Sequence, residues 1–326
     1  MTQKSILNIF FEGLKIFCLN IHKFALYMAF PVLGQLIGTF LIFLPVFWFA
    51  QNMNDLTSKY AFLNETSNFL LSVLVLSVPG IIILLKAFWD YLVAYGALNS
   101  MTEGWLNTSK VYDFKSHNEV VLKKTFSFVA LWFLFSIFLL ISIIPIFWII
   151  GFIFFVYFIL IFQVFTFEDG LSPAGYFKRS FELVRGNFLR TFILMLTLFV
   201  LTYILIPKGL TVLFDAGGLS GFMSKGFEAW AFTLPIEPLE PYGVSPAKIA
   251  NSMVEQVAFF IGVGFTLPLR SICWTLLYGE YSKDGSVGEV PSKKRSKGKK
   301  SKDFKIEKRE IDPEIIRRAR LEDDEY

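Results

Sequence analysis

Two histidines and two cysteines in 326 residues leave little material for metal or redox chemistry. A zinc site takes about four nitrogen or sulfur ligands in close sequence clusters. Here His22 falls on the polar side of a predicted helix and His117 in a predicted polar loop. Neither has Cys, Asp or Glu at ligand spacing. Cys18 and Cys273 lie in or beside apolar segments and read as small apolar fillers. No phosphate-binding Gly-rich loop, nucleophile elbow or HExxH pattern occurs. Charge is scarce too, at 18% of residues against 54% hydrophobic. No catalytic residue, cofactor or metal is therefore expected, and the chain does not read as an enzyme.

What is abundant is apolar length. Phenylalanine alone supplies 39 residues, and runs such as 125–147 and 188–206 carry almost no charge. As helices they are long enough to cross ~30 Å of hydrocarbon. Six spans are predicted, at 25–49, 68–88, 125–146, 147–166, 188–207 and 250–277, giving an all-α polytopic helical bundle. On that reading 27 of the 31 basic residues lie in 1–24, 86–124, 167–190 and from Arg270 onward. The opposite side holds only Lys59, Lys208, Lys225 and Lys248. The positive-inside rule then puts both termini in the cytoplasm. No signal peptide is evident at the N-terminus.

Residues 5–23 have helical period, with Ile6, Phe10, Leu14, Phe17 and Ile21 on one side and Asn8, Glu12, Lys15 and His22 on the other. Such a helix belongs in the cytoplasmic interface. The first span carries Gly34 and Gly38 in a GxxxG pattern that permits close helix approach. The second meets Pro79-Gly80 and then Lys86 and Asp90, four apart and able to pair on one face. Residues 91–105 are expected to be the cytoplasmic extension of the same helix, lying along the interface. Ile144-Pro145-Ile146 turns the third span into the fourth, either as a tight hairpin or as a kinked re-entrant pair.

The segment 167–187 is the most distinctive. Glu168-Asp169 precedes Ser172-Pro173, an N-cap followed by a first helical residue. Phe177, Phe181, Val184 and Phe188 form an apolar stripe opposite Lys178, Arg179, Glu182 and Arg185, and Gly186-Asn187 reads as the stop. Side by side, 11–24, 120–126 and 181–192 suggest three units, each a cytoplasmic amphipathic helix followed by a membrane hairpin. The outer loop 207–249 holds an apolar stretch at 219–232, fit to lie on the outer interface, and an extended, rigid proline-rich part; as a whole it reads as a folded lid over the bundle, with partner binding as the alternative.

Residues 1–282 thus form the membrane domain, and 283–326 a basic, disordered cytoplasmic tail with a short helix near 312–321. Lys293, Lys294, Arg295, Lys297, Lys299 and Lys300 are placed to contact anionic lipid headgroups. No aromatic residues interleave them, so nucleic acid is not an expected partner. An Asn64-Glu65-Thr66 sequon in a predicted outer loop leaves a eukaryotic membrane open.

The acidic pair Glu168-Asp169, Ser172 and Ala174, then Arg179-Ser180, Leu183 and Arg185-Gly186 ahead of a span resemble a known pattern. It is that of the membrane domain of bacterial glycerophosphoryl diester phosphodiesterases and of stand-alone YciC-like integral membrane proteins. The resemblance implies a bacterial inner-membrane helical bundle, and no phosphodiesterase activity, because nothing outside the bundle is long enough to hold the catalytic domain. Lys86, Asp90, Glu168, Asp169, Arg179, Ser180, Arg185, Gly186, Gly34 and Gly38 are the candidate structural or interaction residues. The expected role is a scaffold or accessory subunit with a protein partner or a second copy. The alternative is a transporter or lipid-handling protein with a path between the hairpins, which a polar cavity reaching Gln35 or Gln163 would favour.

Overall fold

A computed structural model describes residues 4–111, 114–232, 243 and 245–283. Among these residues there is no strand, and the chain forms thirteen α-helices. They are α1 (Ile6–Leu19), α2 (Ile21–Lys59), α3 (Thr66–Thr108), α4 (Phe114–Leu122), α5 (Thr125–Ile143), α6 (Trp148–Phe158) and α7 (Ile161–Phe167). After these come α8 (Pro173–Val184), α9 (Phe188–Phe199), α10 (Ile206–Ala216), α11 (Leu219–Ala231), α12 (Pro246–Phe265) and α13 (Leu267–Lys283). A π-helical turn, Val200–Leu205, joins α9 to α10. Six helical stretches are apolar and long enough to cross a bilayer. The chain is an integral membrane protein built as an all-α polytopic bundle.

The element order repeats three times, as a short helix followed by two apolar spans. Helix α1 precedes α2 and α3; α4 precedes α5 and α6–α7; α8 precedes α9–α10 and α12–α13. Local signals set the starts. Ser172 Oγ accepts from the Gly175 N–H at 3.2 Å ahead of α8, and Ser245 Oγ accepts from the Lys248 N–H at 3.3 Å ahead of α12. Both are followed by proline at the first helical position, where its missing N–H is not needed. Gly186, at φ +89°, ends α8 in a backbone conformation that other residues rarely adopt.

Two hairpins are antiparallel along their whole length. In the first, Phe49 meets Phe69 at 5.3 Å between centroids, and Gly34 and Gly38 sit against Ala87 and Leu84. In the second, Phe128 pairs with Phe165, Trp132 with Phe162 and Phe138 with Phe158, at 5.4, 4.7 and 5.3 Å. A single 3₁₀ turn, Pro145–Phe147, reverses the chain. That ladder pairs α5 with α6 and α7 as an antiparallel hairpin.

The main core lies at one end of the bundle. It joins α1, the C-terminal half of α3, α4, α7, α8 and α13, with Ile9, Leu98, Met101, Phe165, Tyr176 and Leu277 all buried. The far ends of the hairpins expose large apolar side chains, among them Phe40, Leu70, Leu140 and Ile149. Such surface is stable only against lipid.

Several expectations need correction. The stretch 91–105 does continue the second span's helix, α3 running unbroken through Pro79 to Thr108, but rather than lying along an interface it packs inward, with Val93, Ala94, Ala97 and Leu98 in the core. His117 is not in a loop but buried in α4, its Nδ1 3.0 Å from Ser100 Oγ. In α1 the buried line is Ile9, Gly13 and Ile16, with Ile6, Phe10, Leu14 and Phe17 flanking it, because Gly13 lets Cys273 of α13 approach. In α8 the buried line is Tyr176, Ser180, Leu183 and Val184, with Phe177 and Phe181 only half-buried. Cys273 is buried, whereas Cys18 is exposed. The stretch 207–249 is largely helical: α10 extends the fifth span, and α11 folds back on α12. Residues 233–242 of that stretch, the basic tail and its short helix near 312–321 lie outside the described residues.

Candidate functional site

Helix α3 carries Tyr91, Tyr95 and Asn99 at four-residue steps, hence on one face. That face meets α7 and α13, and small residues around it (Ala94, Gly96, Ala97, Ser100) let the backbones approach. The Asn99 carboxamide is fully buried and central to a polar network. Its Oδ1 accepts from Gln163 Nε2 at 3.1 Å, Ser271 Oγ at 2.5 Å and Thr275 Oγ1 at 3.3 Å. Its Nδ2 donates to Thr166 Oγ1 at 3.2 Å, which in turn donates to the Phe162 carbonyl at 2.7 Å. Gln163 Oε1 is buried without a partner.

One turn away lies a buried cation. The sixth span breaks between α12 and α13, where Pro268 removes an N–H and its ring crowds the preceding turn. The break leaves the Val263 carbonyl at the end of α12, and Arg270 Nη2 donates to it at 2.9 Å. Arg270 Nη1 donates to the Tyr203 hydroxyl, and the guanidinium stacks 4.8 Å from the Tyr203 ring centroid. Tyr91 and Tyr95 stand beside it. Tyr203 belongs to the π-helical turn of the fifth span, so two interruptions of regular helix converge on this arginine. Arg270 is 8% exposed, its Nε has no partner, and among the described residues no carboxylate pairs with it.

The residues singled out in the sequence sit elsewhere, mostly around α8. Glu168 accepts from Arg179 Nε at 3.0 Å and from the Tyr278 hydroxyl at 3.0 Å. Asp169 pairs with Lys124 at 2.5 Å. Ser180 Oγ donates to the Tyr157 carbonyl at 2.8 Å, while Arg185 is exposed beside Gly186. Burial, and then Asp169, push the Tyr176 hydroxyl above its ordinary range. Lys86 and Asp90 pair on an exposed face of α3. Lys293, Lys294, Arg295, Lys297, Lys299 and Lys300 lie outside the described residues.

These pairs tie α7, α8 and α13 together. Neutralising Glu168 alone (Glu168→Gln) should cost about 1–3 kcal/mol, since a hydrogen-bonded, mostly buried charge is left on Arg179. The double variant Glu168→Gln/Arg179→Gln should recover part of that loss. Thermal unfolding of the four proteins of this cycle in detergent checks it.

Sequence reading singled out neither Arg270 nor Asn99 as a site residue. The available signals were Thr266 and Pro268 just ahead of the arginine, and the small residues flanking the asparagine. Chemically, the site offers hydrogen-bond donors and a fixed positive charge in a dry setting. No group of three or more potential metal ligands occurs among the described residues. Two surface grooves are apolar. One, of about 440 Å³, is lined by Phe10, Leu196, Thr197, Val200, Leu201 and Leu205; the other, of about 220 Å³, lies between α5 and α6. Neither is lined by Gln35 or Gln163. No family model, curated protein or solved structure matches the chain.

Proposed function

We propose that this protein is a non-catalytic scaffold or accessory subunit of a membrane complex, with both termini in the cytoplasm of a bacterial inner membrane. The Asn99 network is the observation that carries this reading. It locks α3, α7 and α13 into one rigid body at the end of the bundle where the charged loops gather. A rigid, charge-rimmed end suits a docking platform, and the basic tail adds attraction to anionic headgroups. The resemblance to the phosphodiesterase membrane domain and its YciC-like relatives points the same way.

Tagged purification from native membranes in mild detergent, followed by protein and lipid mass spectrometry, tests the proposal. A stoichiometric partner (another protein or a second copy), lost on deletion of 284–326, is the expected result. A single protein carrying a specific lipid or solute would sink it. That outcome would favour the second reading, a lipid-handling or carrier protein, which Arg270 supports as an intramembrane charge without a carboxylate partner.

A further inference from the structure

The partners of Arg270 do not balance its charge. The Tyr203 hydroxyl and the Val263 carbonyl satisfy some of its hydrogen-bonding capacity, with Tyr91 and Tyr95 alongside, yet all are neutral. A fixed cation this deeply buried normally has an anion beside it. The Val263 carbonyl at the end of α12 offers it only a partial negative charge.

We propose that Arg270 is the core of an intramembrane site for a phosphate-type oxyanion, taken either from a lipid headgroup or as the free ion. Arg270 Nε is the donor left open for it, and the planar guanidinium suits a tetrahedral oxyanion better than a point charge does. The Tyr203 ring and hydroxyl hold the guanidinium from the side of the π-helical turn. The same turn supplies Val200, Leu201 and Leu205 to the 440 Å³ apolar groove. A π-helical turn is also a bond-register defect that can revert to α-helix, which would move Tyr203 off the arginine and admit the ligand. The inference is independent of the scaffold reading, since a rigid platform and an anion site can occupy the same bundle.

The test uses the full-length protein in nonionic detergent, with thermal unfolding followed while phosphatidylglycerol or inorganic phosphate is titrated in. Wild type should be stabilised, as any ligand that binds only the folded state stabilises it. Arg270→Lys keeps the charge but loses the fork and Nε, so its midpoint concentration should rise about tenfold. Stabilisation by phosphatidylglycerol alone identifies a headgroup; stabilisation by both identifies the oxyanion itself. Absence of any response in wild type, or an equal response in Arg270→Lys, overturns the assignment. Should Arg270→Lys fail to fold, Tyr203→Phe gives the second readout. It keeps the ring but removes the hydroxyl that holds the guanidinium, so its midpoint concentration should rise, whereas a response equal to wild type would overturn the site.

Discussion

Asn99→Ala should be among the most damaging single changes in this chain, lowering stability by about 3–4 kcal/mol. The side chain makes four hydrogen bonds to α7 and α13, at about 1 kcal/mol each in such settings. Its removal strands Gln163 Nε2 and the Ser271 hydroxyl in a buried space. Thermal unfolding in detergent, monitored by circular dichroism, would record the loss. Asn99→Ser, which keeps a hydroxyl at the site, should fall between the two. An unchanged transition in Asn99→Ala would mean that the network adds nothing to rigidity, and the platform argument would lose its basis.

The second large effect belongs to the first hairpin. A methyl group at Gly38 would lie 2.7 Å from the Leu84 amide nitrogen and 2.9 Å from its Cα. Those atoms are backbone and cannot rotate aside. Gly38→Ile should therefore force α2 and α3 apart and cost about 3 kcal/mol. Gly226→Ile is the control, because nothing lies within 4 Å of that position on α11. Spin labels on α2 and α3 should report a wider, broader separation in Gly38→Ile, with the Gly226 variant unchanged.

The six spans and the third-to-fourth turn were legible because each rests on a local signal. Length of apolar run, a proline between two runs and a Ser-Pro start all act within a few residues. The active geometry was not legible, for a reason visible in Arg270 and Asn99. A single arginine at the end of an apolar run looks the same whether it snorkels to water or turns inward toward tyrosines on two other spans. Its fate depends on the π-helical turn of the fifth span, which no composition pattern announces. Asn99 likewise carries no local signal, one polar residue in a stretch, 91–105, that mixes polar and apolar residues. Its partners lie in α7 and α13, which only tertiary packing brings to it. The stripes on α1 and α8 were displaced for a related reason: Gly13 and Ser180, small rather than greasy, are what the neighbouring helices press against.

The placement of α13 has a consequence for biosynthesis. It is the last helix among the described residues, yet it closes the core against α1, α3, α7 and α8. The Asn99 carboxamide waits for Ser271, which follows it by 172 residues. At about 5–20 residues per second, that interval is roughly ten to thirty seconds of translation. Through it the first two hairpins sit in the membrane with the Asn99 carboxamide answered only by Gln163 and Thr166 of α7. A nascent chain stalled before the sixth span should therefore be recognisably incomplete to membrane quality control, and release of the last helix should be the event that makes the bundle resistant to proteolysis.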